Sequence, residues 1–94
     1  MENQDYVNTL GIDISAKQKC LEAMAKYGDN HWWLSDDPIT LAYYQINEPI
    51  FLLPDFGEFH GAVEATLGHG VPNIVLGNPR VKQEVKEVWD ARNR

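Results

Sequence analysis

No lysine or arginine occurs between Lys26 and Arg80. Residues 27–79 carry seven carboxylates instead (Asp29, Asp36, Asp37, Glu48, Asp55, Glu58 and Glu64), together with all three histidines and two of the three tryptophans. Residues 1–26 sum to −1, residues 27–79 to −7 and residues 80–94 to +2, giving the net −6 of the whole chain. Binding to nucleic acid relies on lysine and arginine to neutralise phosphates, so this balance argues against a direct nucleic-acid partner. The five cations of residues 80–94 alternate with three acids at helical spacing, which describes a solvated helix face and not a phosphate-binding arm.

Cysteine is nearly absent too. Cys20 stands alone, so no internal disulfide can form and no cysteine-rich zinc site can be built. It falls on the apolar side of an expected helix, where a small buried thiol is the ordinary arrangement. No apolar run reaches the ~18 residues of a membrane span, and MENQDYVNTL has neither the basic nor the apolar region of a secretory signal. A cytoplasmic protein with no membrane contact is expected. Catalytic signatures are missing as well. There is no GxSxG elbow, no GxxxxGK[ST] phosphate loop and no GxGxxG dinucleotide turn.

What remains is an ordinary globular composition: 94 residues, 44% hydrophobic and 23% charged. That length makes a single compact domain, 1–94, with residues 1–12 expected as a poorly ordered start anchored by Tyr6, Val7, Leu10 and Ile12. Four helices are expected. Ser15 and Gln18 form a capping-box pair ahead of Cys20, Leu21, Met24 and Tyr27, and Gly28 provides a left-handed stop. Asp37-Pro38 starts a second helix that ends near Asn47. Asp55 and Glu58 open a third, with Phe56, Phe59, Val63 and Leu67 as its apolar stripe and Gly68 as its end. Asn78-Pro79 opens the last, striped by Val81, Val85, Val88 and Arg92 with Trp89. Between them lie three short apolar runs, His31–Leu34, Ile50–Leu53 and Val71–Leu76, which read as extended or strand-like. The fold class expected is a helix-dominated α+β domain with a small two- or three-stranded sheet, and an all-α domain is the alternative.

Two constellations bear on function. In an extended segment Trp32 and Trp33 point to opposite sides, and on a helix Tyr43 and Tyr44 stand about 100° apart. A small core has difficulty enclosing all four, so at least one tryptophan and one tyrosine are expected at the surface beside Asp36 and Asp37. Trp32, Trp33, Asp36, Asp37, Tyr43 and Tyr44 therefore form the expected contact site, since tryptophan and tyrosine dominate binding hot spots. The partner implied is a protein with a basic surface, or a second copy of the chain, and the role a non-catalytic regulatory one that needs no cofactor. The alternative is a small metal- or ligand-binding enzyme centred on His60, Glu64 and His69. His60 and Glu64 are four residues apart and share a helix face, but the spacing matches no established metal motif.

Overall fold

A computed structural model describes residues 2–94 of the chain. Five α-helices follow one another: α1 Asn3–Asn8, α2 Ile14–Ala25, α3 Pro38–Asn47, α4 Phe56–Leu67 and α5 Pro79–Arg92, with 3-10 turns at Trp32–Leu34 and Asn73–Val75. Among the described residues there is no strand, so the expected sheet is not present and the all-α arrangement is the correct one.

The helix starts follow local chemistry. Asp55 Oδ1 accepts from the amide of Glu58 at 2.8 Å, and Asn78 Oδ1 accepts from that of Arg80 at 2.8 Å. Pro38 and Pro79 occupy first-turn positions where a missing N–H costs nothing. For α2 the cap is Asp13, whose carboxylate accepts from Ala16 N, and not Ser15. Gly28 and Gly68 adopt φ of 57° and 76°, the left-handed region that glycine occupies without a side-chain penalty. Where a poorly ordered N-terminus is expected, α1 forms over Asn3–Asn8 and buries Tyr6 and Val7.

Helix α3 is the hub, packing on both α4 and α5 and on the 3-10 turn at Trp32–Leu34. Its N-terminal end meets the C-terminal ends of its two neighbours: Thr66 Oγ1, which donates to Ala62 O at 2.7 Å, lies 3.3 Å from Pro38 O, and Arg92 is ion-paired with Asp37. Its C-terminal end, at Ile46, shares a groove with Phe56 and Phe59 of α4 and Lys82 of α5. Helices α4 and α5 are thus parallel to one another and antiparallel to α3. Residues 68–78 must then run back along α4. His60 Nε2 is bonded to Val71 O, and Glu64 Oε2 accepts from Val71 N at 2.7 Å, so one residue of this return is pinned on both its backbone groups.

The segment expected as a strand, Ile50–Leu53, is irregular, with bends at Ile50 and Leu53, and its backbone pairs with side chains. Gln45 Oε1 accepts from Leu52 N at 2.8 Å and Gln45 Nε2 donates to Ile50 O at 3.0 Å. Glu48 Oε1 accepts from Ile50 N at 3.3 Å, Tyr6 Oη donates to Leu52 O at 2.6 Å, and the Cys20 thiol lies 3.6 Å from Phe51 O. Buried backbone groups must find partners, and here no ladder is left to make. Those same bonds tie α1 and α2 to the three-helix unit.

Aromatic rings form the rest of that joint. Trp89 stacks on Tyr43 with centroids 4.4 Å apart and planes at 4°. Tyr43 meets Tyr44 edge-on, Tyr44 stacks on Trp32, and Tyr27 stands edge-on to Trp32, Trp33 and Tyr44. Trp33 continues to Tyr6 of α1. Such offset and edge-to-face pairs contribute about 0.5–1.5 kcal/mol each beyond the area they bury.

Candidate functional site

The six residues expected to form one exposed patch do not do so. Trp32 and Trp33 are 2% and 3% exposed and belong to the core, so the expected surface tryptophan is absent from this pair. Residues 32–34 are wound into a 3-10 turn, with three residues per turn, so neighbouring side chains diverge by about 120° and both rings can turn inward. Trp32 Nε1 has no hydrogen-bond acceptor among the described residues, a cost of about 1–3 kcal/mol that the ring's packing offsets. Tyr43 and Tyr44 are half-buried in the aromatic stack. Asp37 accepts from Thr40 Oγ1 at 2.7 Å and pairs with Arg92; the threonine hydroxyl, together with the guanidinium, holds its carboxyl below the usual range. Of the six, only Asp36 is exposed.

The histidines also have local employment. His60 Nε2 binds Val71 O and lies 3.7 Å from Glu64 Oε2, while the same Glu64 oxygen accepts from Val71 N. His69 is exposed just beyond α4, with Nδ1 3.0 Å from Gly70 O. Among the described residues no three histidine, cysteine or carboxylate side chains come together as a metal-ligand set, so His60, Glu64 and His69 do not converge. Cys20 is buried beside an apolar pocket, and burial pushes its thiol up, away from the reactive thiolate.

The exposed aromatic surface is elsewhere. A groove of about 610 Å³ opens where the C-terminal end of α3 meets the N-terminal ends of α4 and α5. Its apolar lining includes Ile46, Pro49, Phe51, Phe56, Phe59 and Leu76, and Lys82 stands at its edge. Phe51 is 39% exposed and Phe56 49%. Their centroids lie 6.4 Å apart, and each stands 6.1 Å from the buried Phe59. Three further large apolar side chains, Ile14, Leu34 and Ile74, are exposed, but they belong to three separate segments. Scattered surface apolar residues are normal, whereas adjoining aromatic rings over a concavity mark a contact surface.

The local sequence explains why these rings cannot retreat. Pro49 and Pro54 bracket this bent segment, and its inward positions are filled by Leu52 and Leu53, 0% and 2% exposed. Gln45, Glu48 and Tyr6 clamp the backbone around them, leaving Phe51 on the outer side. Phe56 occupies the first turn of α4, where the next inward position belongs to Phe59.

Glu48 supports the groove from beneath. Its side chain, 2% exposed, accepts from Tyr27 Oη at 2.7 Å and pairs with Lys26 Nζ at 3.0 Å. Burial alone would push this carboxyl up; the bonds from Tyr27, Lys26 and Ile50 N outweigh burial and hold it below its ordinary range. The carboxylate is therefore fully engaged in structure and presents no free general base to the groove.

Signals for Phe51 and Phe56 were present in the sequence, as aromatics beside prolines and a helix cap, but the tryptophans carried the stronger one. Compared with protein-family models, curated proteins and solved structures, the chain matches none. No helix among the described residues is long and apolar enough to cross a membrane.

Proposed function

We propose that this chain is a non-catalytic interaction domain of regulatory character that meets another protein surface through the Phe51–Phe56 groove. The observation that carries this reading is the pair of adjoining, half-exposed phenylalanines held outward over a concave apolar floor. Aromatic anchors supply most of the affinity at protein interfaces, and a rigid presentation reduces the ordering cost of binding. The contact surface accordingly belongs to residues 46–59 and the start of α5, not to Trp32 and Trp33.

Site-specific photocrosslinking tests it. A benzophenone side chain replacing Phe56 should give a discrete protein adduct in cells of the source organism, and the same group at His69, outside the groove, should give none. The adduct at position 56 should disappear when Phe51→Ala is added. Equal adducts at both positions, or none at position 56, would remove the groove from consideration.

A further inference from the structure

A second hollow adjoins the groove. It holds about 310 Å³ and is walled by Leu10 and Ile12, by Cys20 of α2 and by Leu53. Pro49 and Phe51 line both hollows, so the exposed Phe51 ring stands between them. Together they make one apolar surface that reaches from α2 to α5. The polar side chains along it are already engaged, with two exceptions. In the groove the Gln45 amide bonds the backbone of Ile50 and Leu52, the Glu48 carboxylate is held by Tyr27 and Lys26, and Asn78 caps α5. In the second hollow the Cys20 thiol lies 3.6 Å from Phe51 O. What is left is one lysine in each, Lys82 and Lys19, both exposed and both without an ion-pair partner among the described residues. Asp55, although next to Phe56 in the chain, lines neither hollow, and its carboxylate accepts from Glu58 N. Acids outnumber lysine and arginine by 14 to 8 in the whole chain, so a surface whose unengaged charges are all positive runs against the composition.

That pattern specifies the chemistry of an occupant. Apolar side chains would take the two hollows out of water, and a carboxylate near each lysine would supply the partner it lacks. A basic segment would meet like charge in both places, which is penalised across an interface. Two hollows divided by a ring suit a peptide chain that lays successive apolar anchors on either side of it. The net charge of −6 opposes the approach of an acidic partner, but at physiological ionic strength it is screened beyond ~8 Å, and at contact the two lysines decide. Resting on the groove being the contact surface, we infer that the partner protein contributes an acidic, apolar segment, whose apolar side chains fill the hollows on either side of Phe51 while its carboxylates meet Lys82 and Lys19.

Selection of a displayed library of random short peptides on the full chain tests this. Peptides that bind the wild type and lose at least about tenfold in affinity for Phe56→Ala define the groove-dependent set. Against the unselected library that set should be enriched in Asp and Glu together with large apolar residues, and depleted in Lys and Arg. A synthetic acidic member of it should bind about five- to tenfold more weakly to Lys82→Glu and to Lys19→Glu, each a reversal at an exposed position. Selection on the variant carrying both reversals should turn the preference from acidic to basic peptides. Unchanged helical circular dichroism in every variant separates these effects from misfolding. Groove-dependent peptides that are neutral or basic overturn the inference, and so does an acidic peptide indifferent to both reversals. Either result leaves the interaction role of the groove standing. A library that yields no peptide dependent on Phe56 also overturns the inference, and the crosslink at position 56 then decides the role of the groove by itself.

Discussion

Gln45 does for Leu52 what a neighbouring strand would otherwise do. Its side-chain amide, on a buried turn of α3, accepts from Leu52 N at 2.8 Å and donates to Ile50 O at 3.0 Å, a pattern of alternate residues engaged from one side. A single glutamine amide has both the donor and the acceptor needed to copy one rung of a sheet.

Gln45→Leu keeps the volume and removes both bonds, along with a third from Gln45 Nε2 to Glu48 O at 3.3 Å. It leaves a buried Leu52 N–H and the Ile50 carbonyl without partners, so the variant should lose about 2–3 kcal/mol of stability. Urea unfolding followed by circular dichroism measures this. A loss under about 0.5 kcal/mol would mean that the segment finds other partners without cost.

The parts of the fold that were legible in the sequence are those whose chemistry is local. Asp55 with Glu58, and Asn78 with Pro79, place helix starts within a few residues of where they occur, because a cap and the amides it serves are neighbours in the chain. The apolar runs read as strands because nothing in their pattern shows that side chains will serve their backbone: Gln45 and Glu48, two to seven residues away, bond Ile50 and Leu52, and Tyr6 bonds Leu52 from 46 residues away. The tryptophans were misplaced for a similar reason. Burying both depends on Tyr27, Tyr44 and Tyr6 arriving from three different helices or their ends, which no local pattern announces. Once Trp32 and Trp33 are inside, the surface aromatic role passes to Phe51 and Phe56.

That exchange can be read by fluorescence. Trp89→Phe leaves Trp32 and Trp33 as the emitting indoles, both enclosed by the core. Their emission should lie to the blue of free tryptophan and resist quenching by acrylamide. Quenching as strong as that of the unfolded chain in urea would place at least one of the pair at the surface.

Acid stability should depend on Glu48. Its carboxyl titrates lower in the folded protein than in the unfolded chain, where a glutamate ionises near ~4.3. The sign follows: above the unfolded value its stabilisation is complete, and it is lost as pH falls through the folded value. Asp37 is shifted in the same direction and adds to this limb. Between about pH 6 and about pH 3 the urea midpoint of the wild type should fall, and that of Glu48→Gln should start lower and fall less steeply. Parallel curves would show that the Glu48 carboxylate gains nothing from Tyr27 and Lys26.

At the alkaline end the controlling groups are tyrosines. Burial, the charge of Glu58 and that of Cys20 push the Tyr6 phenol up to about 12, and burial with the bond to Glu48 pushes Tyr27 up as well. The unfolded chain ionises these phenols near ~10. Stability from them is therefore whole below the unfolded value and is lost as pH rises toward the folded one, since the unfolded chain releases its protons first. Tyr6→Phe removes the bond to Leu52 O and with it one clamp between α1 and the 50–53 segment, and should cost about 1–2 kcal/mol at neutral pH. Above about pH 10 its stability should decline more shallowly than that of the wild type, because one shifted phenol is gone. A full alkaline decline in the variant would assign that limb to Tyr27 alone. Neutral-pH stability equal to the wild type would mean that the hydroxyl at the α1 joint contributes nothing and that Val7 and the Trp33 ring hold the helix by packing.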